Sequence, residues 1–297
     1  MGKKMRIKGD LDDIGALLEI ISILKDVSTN RFFAFSQQKM EFSKFLELFL
    51  LFFDRLEAMD TACPLVRNGN PGTDIIVITS DAGFMSQLNG RVCSAALREY
   101  QASKTPRVIC VGAKGAAKLV AMDMKVEKVF SSADETSRYD TALKIRDYTV
   151  ERIMSGAAGR AVCIYTWPKS FNILKPRVVK LLPAAELIGG DDEETAMPTA
   201  QKRKIRKQKD LILESSLDGI MKNLSDIWVA SRLYEILTET KLAEAASQAQ
   251  QLESAVESLG SEKKAMVVSF KKAGKDEINK AMREVFSSSS VIKAKRR

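Results

Sequence analysis

Apolar residues in the first sixty positions recur at three- and four-residue steps. Leu11, Ile14, Leu17, Leu18, Ile21 and Leu24 fall on one helical face, with Val27 following. A second run, Phe42, Phe45, Leu46, Phe49, Phe52, Phe53 and Leu56, keeps that spacing and predicts a seam against another helix. Residues 5–60 therefore read as helix. Ser28-Thr29-Asn30 weakens it locally, and the pattern alone does not decide whether it breaks there. Pro64, Gly69, Asn70, Pro71 and Gly72 then mark a linker or turn.

Beyond that turn the pattern changes to short apolar runs alternating with helical ones. Ile75 to Thr79, Arg107 to Val111, Val126 to Phe130 and Ala161 to Thr166 read as strands. The segments 86–103, 114–122 and 136–154 between them read as helices. A βαβαβαβ order implies a mostly parallel sheet with helices on its faces. Pro168 and Pro176 loosen the pattern and Leu181-Leu182-Pro183 ends it. Residues 189–209 are acidic and then basic, which suits an exposed loop or hairpin, and 210–213 suits one last strand.

From there the helical period returns and persists. Leu217, Ile220, Leu224, Ile227, Trp228, Leu233, Ile236 and Leu237 give way to Ala243, Ala245, Ala246, Ala249, Leu252 and Ala255. Large residues come back at Met266, Val267, Phe270, Ile278, Met282, Val285 and Phe286. A period this long predicts a coiled coil or shaft. The expected fold class is α/β, with long N- and C-terminal helices forming an antiparallel coiled coil and a central Rossmann-like α/β domain between them. The expected divisions are an N-terminal helix (1–62), the α/β domain with its charged loop 189–209 (63–209), and a strand plus long helix (210–297).

Composition narrows the chemistry. At 297 residues, 45% hydrophobic and 29% charged, the chain can fold as one large domain or two smaller ones. A net charge of +9 favours an acidic partner or a plain soluble surface. The basic tail Lys293-Ala294-Lys295-Arg296-Arg297 lacks any nucleic-acid reading module beside it, so no nucleic-acid partner is expected. With no histidine, Ser-His-Asp and Cys-His nucleophile pairs and histidine metal sites are excluded. Cys63, Cys93, Cys110 and Cys163 are too scattered for a metal knuckle and read as buried, reduced thiols. No signal peptide is expected, and the most apolar stretch, Phe45 to Phe53, contains Glu47 and is far short of the about 20 residues of a membrane span.

Two turns leave strand ends, where open α/β sheets bind ligands. Gly112-Ala113-Lys114-Gly115 opens a helix as a phosphate-binding turn would, yet it lacks the Gly-Lys-Ser/Thr ending of a Walker loop. A tight turn that needs glycine explains it equally. In Ser80-Asp81-Ala82-Gly83, Asp81 suits a helix cap, and a serine and aspartate without histidine make a poor catalytic set.

Taken together, these segments resemble the gamma subunit of F-type ATP synthases. "ITSDAGFMSQLNG" (78–90) is similar to that family's Thr-Ser-Asp-x-Gly segment ending in Leu-Asn, and "VGAKG" (111–115) to its Gly-x-Lys-Gly turn. "IYTWPKSF…VVKLLP" (164–183) resembles its strand and Leu-Leu-Pro exit, and "LYEILTETKLAEA" (233–245) its Tyr-x-x-x-x-Glu-Ser-x-x-Ser-Glu helix. Ser80, Asp81, Gly83, Leu88, Asn89, Gly112, Lys114, Gly115, Tyr234, Glu239, Glu244, Ile278 and Glu284 carry the likeness across residues 74 to 290. Three departures stand out. The family's basic N-terminal helix keeps only its apolar spacing over Asp12 to Ser28. Its Ala-Arg-Gln-x-x-Ile-Thr becomes Ala273-Gly274-Lys275-Asp276-Glu277-Ile278-Asn279, and Met85, Ser86 and Gln87 replace turn glycines.

The resemblance implies a rotor shaft, the central stalk of an F-type ATP synthase. Such a shaft couples ion-driven rotation of the membrane ring to conformational change in the catalytic beta subunits. It implies a non-catalytic subunit with no cofactor and no metal of its own. The implied partners are the alpha and beta subunits of the catalytic hexamer, the epsilon subunit and the membrane c-ring. The implied location is peripheral, on the cytoplasmic face of the membrane. Lys275, Asn279 and Glu284, read as one helical face near the bearing, are expected to touch the catalytic ring, and the basic run 201–209 to lie near the foot. The competing reading is a nucleotide-binding α/β enzyme with a coiled-coil oligomerisation arm, supported by the two strand-end turns. A weaker third is a basic coiled-coil adaptor for nucleic acid.

Overall fold

The computed structural model describes residues 3–57, 61–132, 134, 136–184 and 215–295, with backbone alone at residue 3 and over 38–57 and 288–295. In chain order the elements are α1 (Lys3–Glu57), β1 (Gly72–Ile78), α2 (Ser86–Ala102), β2 (Thr105–Val111), α3 (Ala113–Val120), β3 (Val126–Phe130), α4 (Arg138–Met154), β4 (Arg160–Ser170), β5 (Ile173–Leu182) and α5 (Leu217–Lys295). The aromatic run from Phe42 to Leu56 is helical, but its side chains lie outside the described residues, as do the charged segment 189–209 and the expected strand 210–213.

The long first helix does not break at Ser28. The Ser28 hydroxyl donates to the Leu24 carbonyl at 2.9 Å, so its polar group is satisfied inside the helix and offers the backbone no alternative. At the other end, Ser216 starts α5 by accepting the Gly219 N–H at 3.3 Å, while the Asp218 carboxylate takes the Thr61 hydroxyl at 2.6 Å.

The chain forms two compact units, residues 29–248 and residues 1–28 with 249–297. The larger contains a five-stranded sheet ordered β3-β2-β1-β4-β5. β1 pairs in parallel with both β2 and β4, β2 with β3, and β4 pairs antiparallel with β5. Because side chains alternate along a strand, Ile76 and Ile78 of β1 point to one face and Ile75 and Val77 to the other. The first face joins Ile109, Cys163 and Tyr165 to Ala142 and Ile145 of α4 and to Met221, Trp228, Leu233, Ile236 and Leu237 of α5. The second joins Val108, Cys110 and Ile164 to Val92, Cys93 and Ala96 of α2 and Leu119 of α3. Every residue of β1 is buried, as expected of a central parallel strand.

β5 is the element that the sequence pattern did not resolve. Its Pro176 faces Thr166, and Pro168 of β4 faces Leu174, inside the antiparallel ladder. Both prolines are tolerated for the same reason. β1 covers β4 only from Arg160 to Ile164, so Pro168 lies past the strand that would need its N–H, and β5 is the outermost strand of the sheet. α4 begins at Arg138, later than expected, because the Asp134 carboxylate accepts the Thr136 and Ser137 N–H groups at 3.1 and 2.7 Å and closes a turn first.

In the smaller unit the two helices run antiparallel. Lys4 of α1 lies over the Phe270 ring at 5.7 Å, and a Cβ at Gly274 would stand 3.6 Å from the Lys4 Cε. Further along α1, a Cβ at Gly15 would stand 3.5 Å from the Lys263 Nζ. Advancing from Lys4 to Gly15 therefore matches an equal retreat from Gly274 to Lys263.

Candidate functional site

The strand-end turns come together, and they satisfy each other. At the start of α3 the Ala113 and Lys114 N–H groups donate to the two Asp81 carboxylate oxygens at 3.0 and 2.8 Å, and the Lys114 ammonium donates to the Asp81 carbonyl at 2.7 Å. The N-terminus of that helix, where a phosphate would bind, thus holds a carboxylate of its own chain. Ser80 is fixed from the other side, donating its N–H to the Asn89 Oδ1 at 3.1 Å while the Asn89 amide donates to the Ser80 carbonyl at 2.7 Å. The Thr79 hydroxyl donates to the Val111 carbonyl at 2.7 Å.

Glycine is required here by space. A Cβ at Gly115 would stand 1.9 Å from the Thr79 Oγ1; Gly112 has φ of 99° and would meet the same oxygen at 2.7 Å. Ser80, Asp81, Asn89, Gly112, Lys114 and Gly115 form one stitched corner. Burial pushes the Cys110 thiol beneath it up to about 12, against the lowering effect of its Thr79 contact.

β1 is the switch point of the sheet, with β2 on one side and β4 on the other, so a ligand crevice would open past the ends of β1 and β4. Apolar side chains pack in that neighbourhood. Met85 and Leu88 pack with Leu174, with Ala243 and Ala246 of α5, and with Phe32, Ala82 and Phe171. The rings of Phe32 and Phe171 meet edge-on at 5.0 Å.

The middle of α5 docks on the sheet through polar as well as apolar groups. The Tyr165 hydroxyl of β4 donates to the Glu239 carboxylate, and Arg232 pairs with Glu235. Arg138 Nη1, at the start of α4, donates to the Thr238 hydroxyl at 3.0 Å. Its guanidinium lies 5.0 Å from the Phe35 ring centre and 5.7 Å from that of Tyr234. Lys241 and Glu244 pair at 2.8 Å. Burial, with the Glu239 charge beside it, holds the Tyr165 phenol well above its ordinary range, so it remains a donor. Burial opposes the Arg232 charge, and Glu235, Tyr165 and Glu239 outweigh it. Of this set Tyr234, Glu239 and Glu244 carried the family likeness, and Tyr165, Glu235, Thr238 and Lys241 lay inside its segments. Arg138 and Arg232 lay outside those segments, although Arg232 interrupts the apolar period of α5 between Trp228 and Leu233 and so marked a polar dock.

Lys275, Asn279 and Glu284 are exposed on α5, as is every residue from Lys275 to Ser287. Lys275 and Asn279 are one turn apart and share a face. Glu284, five residues on from Asn279, stands about 180° round the helix from Lys275 at 3.6 residues per turn, so the three do not share one face. Ile278, Met282, Val285 and Phe286 also stand exposed there, at 61%, 57%, 67% and 70%. No described helix is long and apolar enough to cross a membrane.

Two long helices, antiparallel where they pair and flanking a mostly parallel α/β sheet in sequence, define a stalk protein with an inserted Rossmann-like domain. Solved structures share this fold. A chain of the Euglena gracilis mitochondrial ATP synthase (OSCP/F1/c-ring, rotational state 3) aligns over 99% of this chain and 96% of its own, with a TM-score of 0.59 at 12% identity. One from the Tetrahymena thermophila mitochondrial ATP synthase central stalk and c-ring aligns over 80% and 99%, with a TM-score of 0.53 at 19% identity. The chain belongs to the ATP synthase family, on its gamma branch: the family model described as ATP synthase matches residues 4–292. Among its relatives, the ATP synthase gamma chain of Alkaliphilus metalliredigens is 25% identical over 74% of each chain. That of Chlorobaculum tepidum is 24% identical over 74% of this chain and 73% of its own.

Proposed function

We propose that this chain is the rotor shaft of an F-type ATP synthase, turning with a membrane c-ring and driving the nucleotide states of the beta subunits in an alpha–beta hexamer. One observation carries the reading: towards its end α5 exposes the large apolar residues Ile278, Met282, Val285 and Phe286, on a chain that the ATP synthase family model matches over residues 4–292. An exposed apolar surface suits a bearing, since apolar contact is non-directional and allows turning.

Lys275, Asn279 and Glu284 then meet the catalytic ring from different sides, which an encircling partner permits. Epsilon is the expected companion of the α/β portion, and the cytoplasmic face of the membrane the expected location, with the chain held there through the complex. The functional divisions follow the sequence: 1–62 and 210–297 as shaft, 63–209 as the body that receives the torque. The filled phosphate turn at Asp81 supports a mechanical over a nucleotide-binding role.

The test is co-expression of the tagged chain with the alpha, beta and epsilon chains of its own source. Recovery of one stoichiometric complex is expected, with cysteine crosslinks from positions 275, 279 and 284 to alpha or beta. A chain that purifies alone and gains thermal stability from a nucleotide would instead establish the enzyme reading.

A further inference from the structure

A shaft transmits torque only if its helix cannot roll on the body that drives it. Most of the dock between α5 and the sheet is apolar, through Leu233, Ile236 and Leu237. Such contact fixes distance well and angle poorly, because dispersion and hydrophobic burial have no preferred direction. Polar contacts interrupt it, and two of them sit on consecutive residues of α5. Consecutive side chains leave a helix about 100° apart. Glu239 reaches β4, accepting from the Tyr165 hydroxyl, and Thr238 reaches the start of α4, accepting from Arg138 at 3.0 Å.

The Thr238 hydroxyl is itself aimed, since it donates to the Tyr234 carbonyl at 2.9 Å and so turns a lone pair toward Arg138. Tyr165 is fully buried, and Glu239, Thr238 and Arg138 nearly so, which keeps water from substituting for either bond.

We propose that Tyr165–Glu239 and Arg138–Thr238 act together as a torque key, locking the angle of α5 on the α/β sheet. This rests on the rotor reading. The two bonds leave the helix about 100° apart and reach different elements, so a roll in either sense distorts them and the pair resists both directions of rotation. The four side chains are positioning residues that touch no nucleotide. They matter under load, when the helix is driven against resistance, and little when the motor turns freely. Each is a hydrogen bond to a charged group, enough to favour the keyed angle over a rolled one by about tenfold.

The experiment uses the assembled complex in sealed vesicles and compares ATP hydrolysis without an ion gradient with ATP-driven ion pumping against one. Tyr165→Phe and Thr238→Val each remove one anchor while keeping side-chain shape, and the double variant removes both. The key requires that hydrolysis stays near the parental rate while the ratio of pumping to hydrolysis falls at least about twofold in each single variant and further in the double. Restoring Thr238 in the double variant must recover part of the ratio.

A double variant that assembles with an unchanged ratio overturns the key, as does one in which both rates fall by the same factor. Variants that fail to assemble also overturn it, since the contacts would then serve folding alone. Failure of the parental chain to assemble with alpha and beta is a different result, and it removes the rotor reading itself.

Discussion

Asp74 puts a carboxylate in the middle of a fully buried strand, and Arg152 from α4 makes that possible. The guanidinium donates to both carboxylate oxygens, at 2.7 and 2.9 Å, lies 5.6 Å from the Tyr148 ring centre and reaches Glu127 at 3.4 Å. The bonds from Asp74 raise the Arg152 pKa against the cost of burial. Removing one member leaves the other charge stranded. Arg152→Met should lower the unfolding free energy by about 3–5 kcal/mol in a urea titration, and adding Asp74→Asn to it should recover part of the loss. Equal midpoints for parent and Arg152→Met would show the pair to be idle. The partners are 78 positions apart, so no local pattern joins them. The corner at Ser80 and Gly112 is the opposite case. Its glycines and Asp81 stood out at once, but two chemistries fitted the same letters, and only the distance from Asp81 to the Ala113 and Lys114 N–H groups chose a cap over a phosphate site.

Among the elements, α1 and α5 were readable because a long apolar period leaves few alternatives, and β1 to β4 because buried parallel strands are continuous apolar runs. β5 escaped because proline is a breaker only where its missing N–H has a neighbouring strand to serve. The start of α4 escaped because Asp134 turns the chain by its own side chain before the helix begins. Two glycines inside α5 have no structural need to be glycine. At Gly260 a Cβ would meet nothing within 4 Å, and at Gly274 only the Lys4 side chain at ordinary contact distance. Gly260→Ala and Gly274→Ala should each raise the stability of the paired helices by up to about 1 kcal/mol, read as later melting of the circular-dichroism helix signal. A fall in melting temperature would mean that these positions carry a bend or a contact that the described residues do not show.

Across the whole molecule the four cysteines are buried and unbridged. Thiol reagent at pH 8 should label none of them in the folded chain and all four after denaturation. Burial raises Cys93, Cys110 and Cys163 above the ordinary thiol range, Cys110 to about 12. A thiol whose folded pKa is raised favours the folded state fully below its unfolded value of 9.0 and loses that contribution as pH rises toward about 12. Stability should therefore decline across that alkaline window, and replacing Cys110 with alanine should flatten part of the decline. The way the sheet is covered has a consequence for the living chain. One of its faces is closed by α4 together with Met221 to Leu237 of α5, residues made long after the last strand. While the ribosome is still reading the segment between them, Ile76, Ile109 and Tyr165 have a strand order but half a roof. The core of the α/β body is completed only when α5 has begun to emerge, so sheet and long helix are bound to mature together.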